Sequence, residues 1–385
     1  MEQEMIGILV NASLYKGIPR GRTGHEILSF YEEGGKQAGL TPVFLCLEYN
    51  RGIGSDGVWN GYVRCGDRYV KTRVPLPKVI HNRAMYFRRG YQQRMAALAA
   101  QGTTVYNACN RYGKMVIHEL LLTDDQLRPH LPVSMTATVA HLRTMMAAND
   151  TLIIKPVSAS VGRGVMKLAR SSKDWVLTYP SIRQRNGTRT VRFRRALPQV
   201  LRTRIRQEAY LVQQCIPLAL YQGRPFDLRV SVQRDGTGIW QVTGIVGKVA
   251  AKRRFVTNVA RGGSVETLDT LLSGYPMLRP EQVSAAVHAL GLRVAEKLSA
   301  HLPHLADIGL DIGITADGFP MFIECNGRDQ RYSFGEGRMT ETWKRTYINP
   351  MAYGRFLLNQ MKHSGCLSLN GTGKSTDNYF APHIE

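Results

Sequence analysis

Short apolar runs separated by glycine-rich or polar stretches mark the beginning of the chain, and each reads as a buried strand. Residues 5–10 form the first such run. A glycine-rich loop follows, and then a helical pattern over 24–38 sets Ile27, Leu28 and Tyr31 on one side. Further strands are expected at 42–47, 61–65 and 78–81, with a helix over 91–101 that stops at Gly102. This order predicts a small α/β domain over residues 1–109.

A second region begins near Asn110, with helices expected at 114–122 and 139–148 and a strand at 151–155. Strands at 209–214, 228–233 and 240–248 and a helix at 281–302 come next. Two apolar runs, 310–314 and 320–325, are joined by Asp317-Gly318, a strong hairpin signal. Alternation along the second strand points Glu324 and Asn326 the same way, and pairing brings Asp311 to them. Three oxygen donors in one place suit magnesium carrying phosphates, because an acid in an apolar strand needs a partner or a metal. The plainer reading is a surface hairpin with solvated acids. Residues 365–385 read as a loose polar tail.

Composition narrows the class. The chain has 385 residues, 43% of them hydrophobic, which is enough for two or three domains with a sizeable core and excludes wholesale disorder. Its six cysteines include no CxxC pair, which argues against a disulfide framework and against a zinc site. No apolar run approaches the roughly 18 residues that span a bilayer, and the start lacks the cationic region of a signal peptide. A cytoplasmic protein without a membrane partner is the expectation.

The net charge of +22 predicts an anionic partner. Nine arginines crowd residues 183–206, suiting phosphates, a polyanionic substrate or an anionic polymer, although a solvated basic helix face would look similar. No RNP motif, zinc finger or helix-turn-helix accompanies them, so nucleic acid is the weaker expectation. The sequence leaves the oligomeric state open.

Phosphate chemistry is suggested by Ile153-Ile154-Lys155-Pro156, a strand ending in a lysine, followed by a loop with Ser158, Ser160, Gly162 and Gly164. Glycines let backbone amides approach anionic oxygens, although a serine-glycine turn is common. Gly371 to Thr376 looks like a Walker A loop, but Ser368 stands where its first glycine belongs and no helical pattern follows. The glycine spacing of residues 17–24 does not fit a dinucleotide fingerprint, and the basic residues there are candidates for an anion at the domain junction.

In order and spacing these elements resemble the ATP-grasp superfamily, and within it the YheC/YheD group of spore-coat-associated proteins, over residues 110–364. Residues 1–109 are similar to the unit that precedes that fold. The resemblance implies an α+β fold with two lobes gripping ATP, and an ATP- and magnesium-dependent ligase joining a carboxylate to an amine, or to a thiol, through an acyl-phosphate. By the same resemblance Lys114 and Lys155 reach the nucleotide phosphates, and Gln213, Gln214 and Ile216 form the adenine hinge. Asp227 and Arg229 match the Asp-x-Arg strand. The segment to Gly262 and Gly263 is similar to that of glutamate-adding ATP-grasp ligases, by which Arg253 or Arg254 would hold the acyl-phosphate and Asn258 would orient phosphate or metal. Asp311, Glu324 and Asn326 become the magnesium ligands, and Lys155, Arg229 and Arg254 the catalytic set. The chain departs from the family pattern at residues 327–331, where Arg328 and Arg331 either bind an acidic small-molecule, peptide or polymer substrate or face solvent. A second reading is a nucleotide-binding structural component of a spore surface, with little or no ligase activity.

Overall fold

The computed structural model describes residues 4–50, 57–86, 88–158, 162–181, 187–252, 257 and 262–368, and three six-stranded sheets organise them. The first sheet comprises β1 (Met5–Leu9), β2 (Thr41–Leu45), β3 (Val58–Cys65), β4 (Arg68–Pro75), β5 (Val79–Asn82) and β6 (Thr104–Tyr106), in the order β4-β3-β2-β1-β5-β6. Its centre is parallel: β1 lies between β2 and β5, and β6 adds to β5. Both faces are apolar, as a sheet covered on two sides requires. Ile6 and Ile8 meet Tyr31 of the helix Leu28–Ala38, whereas Leu9 and Ile80 meet Met95 and Leu98 of the helix Arg89–Ala100.

The second sheet is antiparallel throughout, with β7 (Ser134–Thr136), β8 (Thr151–Pro156), β9 (Met166–Ser171), β10 (Asp174–Pro180), β11 (Thr188–Phe193) and β12 (Tyr210–Gln214) in the order β11-β10-β9-β8-β12-β7. The helices Val139–Ala148 and Gln199–Gln207 bury Leu142, Met145 and Leu201 against Leu152, Ile154 and Leu168. The first of these helices is capped by Thr138, whose hydroxyl accepts the His141 amide at 3.0 Å.

The third sheet holds β13 (Leu220–Tyr221), β14 (Arg224–Arg234), β15 (Trp240–Val249), β16 (Ser264–Glu266), β17 (Asp307–Ile314) and β18 (Pro320–Asn326), in the order β16-β15-β14-β17-β18 with β13 beside β14. Leu228, Val230, Val232, Leu310 and Ile312 pack on Val287, Leu290 and Val294 of the helix Pro280–Ser299. The opposite face is polar and forms the site described below.

Several elements differ from expectation. The helix expected over 24–38 starts at Leu28, and a short helix, Ala12–Gly17, with a 3-10 turn, Ile18–Arg20, occupies part of the expected loop. β4, β6, β7, β9 to β11, β13 and β16 were not expected; β4 and β11 are edge strands whose exposed, arginine-containing runs carry no apolar period. The 29-residue helix Thr340–Ser368 was likewise not expected, since Pro350 stands inside it. Tyr106 donates to the Pro350 carbonyl at 2.7 Å. The helix continues four residues into the expected tail, and the Walker-like segment lies outside the described residues.

The first and third sheets are joined by buried ions. Asp307, which opens β17, accepts from Arg331, from Arg83 Nη1 at 3.3 Å and from Gln233 at 2.9 Å, and its Oδ2 lies 3.3 Å from His81 Nε2 on β5. The His81 ring stacks on Tyr106 at 4.5 Å. Burial, partly opposed by Asp307, pushes the His81 imidazole down from 6.5 to about 4. It is therefore neutral when folded, whereas the unfolded chain takes up a proton below its ordinary value. Stability from this residue is full above pH 6.5 and is lost as pH falls toward 4, by on the order of 3 kcal/mol. Melting temperature measured across that window should fall, and His81→Phe, which keeps a ring on Tyr106, should flatten the fall. An equal slope in the variant would assign the acid lability to other groups.

Candidate active site between the second and third sheets

β14 alternates apolar Leu228, Val230 and Val232 with polar Asp227, Arg229, Ser231 and Gln233. Its neighbours place complementary groups on the polar face. Lys248 of β15 stands opposite Asp227, Asp311 of β17 opposite Arg229, and Glu324 of β18 opposite Asp311. Arg229, Asp311 and Glu324 thus form one row across three strands. Asp311 Oδ1 lies 3.0 Å from Arg229 Nε and accepts from Lys248 Nζ at 2.8 Å, and the same ammonium lies 3.0 Å from Asp227 Oδ1. Lys114, at the start of the helix Lys114–Leu122, reaches Glu324 Oε1 at 3.3 Å.

Behind this row Asp329 is fully buried. It accepts from the Ser231 hydroxyl and lies 3.3 Å from Arg229 Nη1. Removing these groups from water favours their neutral forms, and charge pairing decides which remain ionised. Burial would raise Asp311, but Arg229 and Lys248 outweigh it and hold the carboxyl below its usual value. Asp227 is the weaker acid of the pair that shares Lys248: burial pushes it up to about 6 despite that ammonium and a hydrogen bond from Thr257.

A β-bulge between Asp311 and Ile312 leaves Ile323 unpaired on β18, so Ile323 and Glu324 both border the cavity. The Ile323 carbonyl accepts from Lys155 Nζ at 3.3 Å. Lys155, 8% exposed at the end of β8, makes no ion pair among the described residues. Burial lowers its ammonium to about 8, with Glu324 partly opposing. A buried cation beside an open cavity is stabilised by any negative charge that enters it.

The cavity has a volume of about 630 Å³ and lies between β8 and β12 on one side and β14, β15, β17 and β18 on the other. Ile153, Val165, Ile216, Pro217 and Leu218 make one end apolar, and Lys155, Asp227, Arg229, Lys248, Asp311 and Glu324 make the other charged. At the apolar end the Gln214 and Cys215 amides donate to Val133 and Thr151, at 2.9 and 3.1 Å. The Ile216 amide has no backbone acceptor among the described residues.

Of the residues singled out in the sequence, Lys155, Gly162, Gln213, Gln214, Ile216, Asp227, Arg229, Asp311, Glu324 and Asn326 line this cavity. Lys114 joins through Glu324. Ser158, Gly164, Gly262 and Gly263 do not line it; Gly164, at φ +78°, is where the chain passes so close to Pro156 that a Cβ would meet Cγ at 2.8 Å. Ser160, Arg253, Arg254 and Asn258 lie outside the described residues. Arg328 and Arg331 line a second, smaller cavity, and Arg331 is buried against Asp307 rather than facing solvent.

Lys248, Asp329, Ser231 and Thr257 were not assigned to the site from sequence. Lys248 was legible by the argument that identified Lys155, a lysine within an apolar strand. Nothing in sequence distinguishes Asp329 from its exposed counterparts. The described arginines of the cluster line neither cavity: Arg189 and Arg192 lie on edge strand β11 and Arg202, Arg204 and Arg206 on the adjoining helix, while Arg183 and Arg185 fall outside the described residues.

Among the described residues no three His, Cys, Asp or Glu side chains cluster as a metal site. The donor set on β17 and β18 is two carboxylates, Asp311 and Glu324, plus the Asn326 amide. That fits magnesium, which commonly takes one or two carboxylates and completes its shell with phosphates and water.

A profile of the YheC/D-like ATP-grasp family matches residues 102–357, and the chain belongs to that family. It is 26% identical over 310 residues to the endospore coat-associated protein YheD of Bacillus subtilis, covering 78% of this chain and 68% of YheD. It is 20% identical over 313 residues to YheC of the same organism, covering 80% and 85%. The fold is that of ATP-grasp proteins: the VanG D-Ala:D-Ser ligase from Enterococcus faecalis superposes with a TM-score of 0.54 at 11% identity, over 92% of this chain and all of that one. Among the described residues no helix is long and apolar enough to cross a membrane.

The polar seam is packed tightly enough to test by one methyl group. A Cβ on Gly309 of β17 would come within 2.7 Å of Arg229 Nη1 and closer still to Asp329 Oδ1. Gly309→Ala should therefore force the Arg229–Asp329 pair apart and cost about 1–3 kcal/mol in urea unfolding. An unchanged midpoint would mean the pair is loose.

Proposed function

We propose that the protein is an ATP- and magnesium-dependent ligase that activates a substrate carboxylate as an acyl-phosphate and passes it to an amine. The observation that carries this reading is the buried ammonium of Lys155, bonded among the described residues to the Ile323 carbonyl and lining, with Arg229, Asp311 and Glu324, a cavity of nucleotide size. Family membership supplies ATP as the candidate occupant. The ligase named among the structural relatives supports the reaction class.

The apolar end suits a purine, with the Ile216 amide offering a donor and the Gln214 side chain an acceptor to its edge. The triphosphate then extends toward Lys155, Arg229 and Lys248, with Lys114 at the rim. Asp311, Glu324 and Asn326 would hold magnesium, which supplies charge neutralisation on the phosphate oxygens when bound. A substrate carboxylate oxygen forms a bond to the γ-phosphorus as the bond to the ADP oxygen breaks. Lys155 and Arg229 stabilise the negative charge on the transferring group. An amine nitrogen then bonds to the activated carbonyl carbon, inorganic phosphate departs with the C–O electron pair, and the amine proton passes to phosphate or solvent. The first step needs no general base because the nucleophile is already an anion. By family resemblance Arg253 or Arg254 is assigned to the acyl-phosphate, and Asn258 to orienting phosphate or metal.

The relatives' association with the endospore coat favours a second reading. Exposed arginines on β11 and the helix Gln199–Gln207, in a chain of net charge +22, would attach the protein to an anionic polymer of the spore surface, with little catalysis. Polymer binding without carboxylate-dependent ADP formation would select it. The ligase reading places the active protein in the cytoplasm of the producing cell.

Glu324→Ala should lower magnesium-dependent ADP formation about a hundred-fold or more while circular dichroism stays that of the wild type. Retained turnover would remove Glu324 from the site. A second prediction concerns pH. Bound phosphates raise the Lys155 ammonium from about 8, so affinity for a non-hydrolysable ATP analogue should be full below pH 8 and weaken above it, by up to about tenfold per unit. Calorimetric titrations should show this slope in the wild type and lose it in Lys155→Ala. A pH-independent affinity would mean that Lys155 does not contact the nucleotide.

A further inference from the structure

A second cavity, of about 350 Å³, lies where the loop before the helix Leu28–Ala38 meets the segment after β18. Gln330 and Tyr332 line both cavities and form the wall between them. Its charged lining is lopsided: Arg22, Arg83, Arg328 and Arg331 face a single carboxylate, Glu26.

The ion pairs leave that excess uncancelled. Glu26 Oε1 is shared by Arg83 Nη2 at 2.8 Å and Arg328 Nη2 at 3.3 Å, and its other oxygen accepts from Tyr31 at 3.0 Å. Asp307 serves Arg83 and Arg331 together. Three guanidinium groups therefore share two carboxylates, and His81, the remaining basic group in contact with Asp307, is neutral at physiological pH. The Nε atoms of Arg83, Arg328 and Arg331 are buried and have no hydrogen-bond partner among the described residues. Burial would raise Glu26, but the surrounding arginines hold it at about 2, so it cannot relieve the crowding by protonating. Arg328 itself is depressed by burial and then by Arg83. Arg22 is exposed at the mouth and makes no ion pair among the described residues.

We infer that this cavity binds an anionic group, a carboxylate or phosphate, of the substrate whose reacting end enters the neighbouring nucleotide cavity, with Arg328 and Arg22 as its ligands and Arg83 and Arg331 fixed behind them. The assignment to a substrate rests on the ligase reading above; the anion site itself does not. Arg328 has a guanidinium edge left over after Glu26, and a two-oxygen anion fits such an edge by paired charge-assisted hydrogen bonds. The shared wall makes the ligand bifunctional: one acid is activated beyond the γ-phosphate while a second acidic group is held next door. A substrate with at least two acidic groups follows.

The test is calorimetric titration of the full chain, without nucleotide, using glutarate as the dicarboxylate probe, inorganic phosphate as the phosphate probe and propionate as the single-carboxylate control. Glutarate or phosphate should bind, salt should weaken the binding, and Arg328→Gln and Arg22→Ala should each weaken it about tenfold or more. Both variants should retain wild-type affinity for the ATP analogue, which also reports that they are folded. Which of the two probes binds more tightly identifies the anion. No binding of either probe, or equal binding in wild type and both variants, would overturn the inference. Failure of the ligase reading has a different signature: intact, arginine-dependent anion binding with no carboxylate-dependent ADP formation.

Discussion

A charged group inside a protein persists only if its partners replace the water it has lost, and that constraint organises the polar face of β14. Every second residue of the strand from Asp227 to Gln233 is polar and turned away from the apolar core. Each is met by an opposite charge or a hydrogen-bonding group, three on neighbouring strands and one in the segment after β18: Asp227 by Lys248, Arg229 by Asp311, Gln233 by Asp307 and Ser231 by Asp329. Removing one member would strand its partner, so the seam behaves as a unit.

The seam also gives the molecule its continuity. At one end it borders the nucleotide-sized cavity, and at the other it reaches Asp307, which holds Arg83 and His81 from the first sheet. The residues that would handle phosphate and the residues that dock the first sheet onto the third thus lie on one strand, four residues apart between Arg229 and Gln233. Asp329 links the two ends, because its side chain holds Arg229 while its backbone carbonyl accepts from Arg83 at 2.8 Å. Asp329 thus contacts the sheet junction and Arg229 at once.

Much of this was legible where local chemistry and local pattern agreed. Asp317-Gly318 announced the hairpin that pairs Asp311 with Glu324, and the lysine in the apolar run at 151–155 announced a buried cation. Elements set by tertiary contacts were not legible. β11 is an exposed edge strand with arginines along it, and its position is set by pairing with β10. The helix containing Pro350 persists because its apolar face, with Tyr347 and Met351, is buried against the first domain's core, an effect that propensity does not register. Asp329 is ordinary in sequence and fully buried in space. The expectation for residues 327–331 left Arg328 and Arg331 between an acidic substrate and solvent, whereas their placement depends on Glu26, hundreds of residues away, and on Asp307 at the start of β17.

The balance of charge explains why the site can be both preorganised and receptive. Asp311 is satisfied by Arg229 and Lys248, and Glu324 by Lys114, so the charged end holds its geometry without ligand. Lys155 is the exception, held by a β-bulge carbonyl that cannot cancel its charge. Were every cation paired, a nucleotide would have to break ion pairs to enter; were none paired, repulsion would spread the strands before it arrived. In the ligase reading proposed above, a rigid paired row beside the one ammonium of the charged end that has no ion pair among the described residues would lower both costs, because incoming phosphates would meet fixed donors and a cation already desolvated on folding.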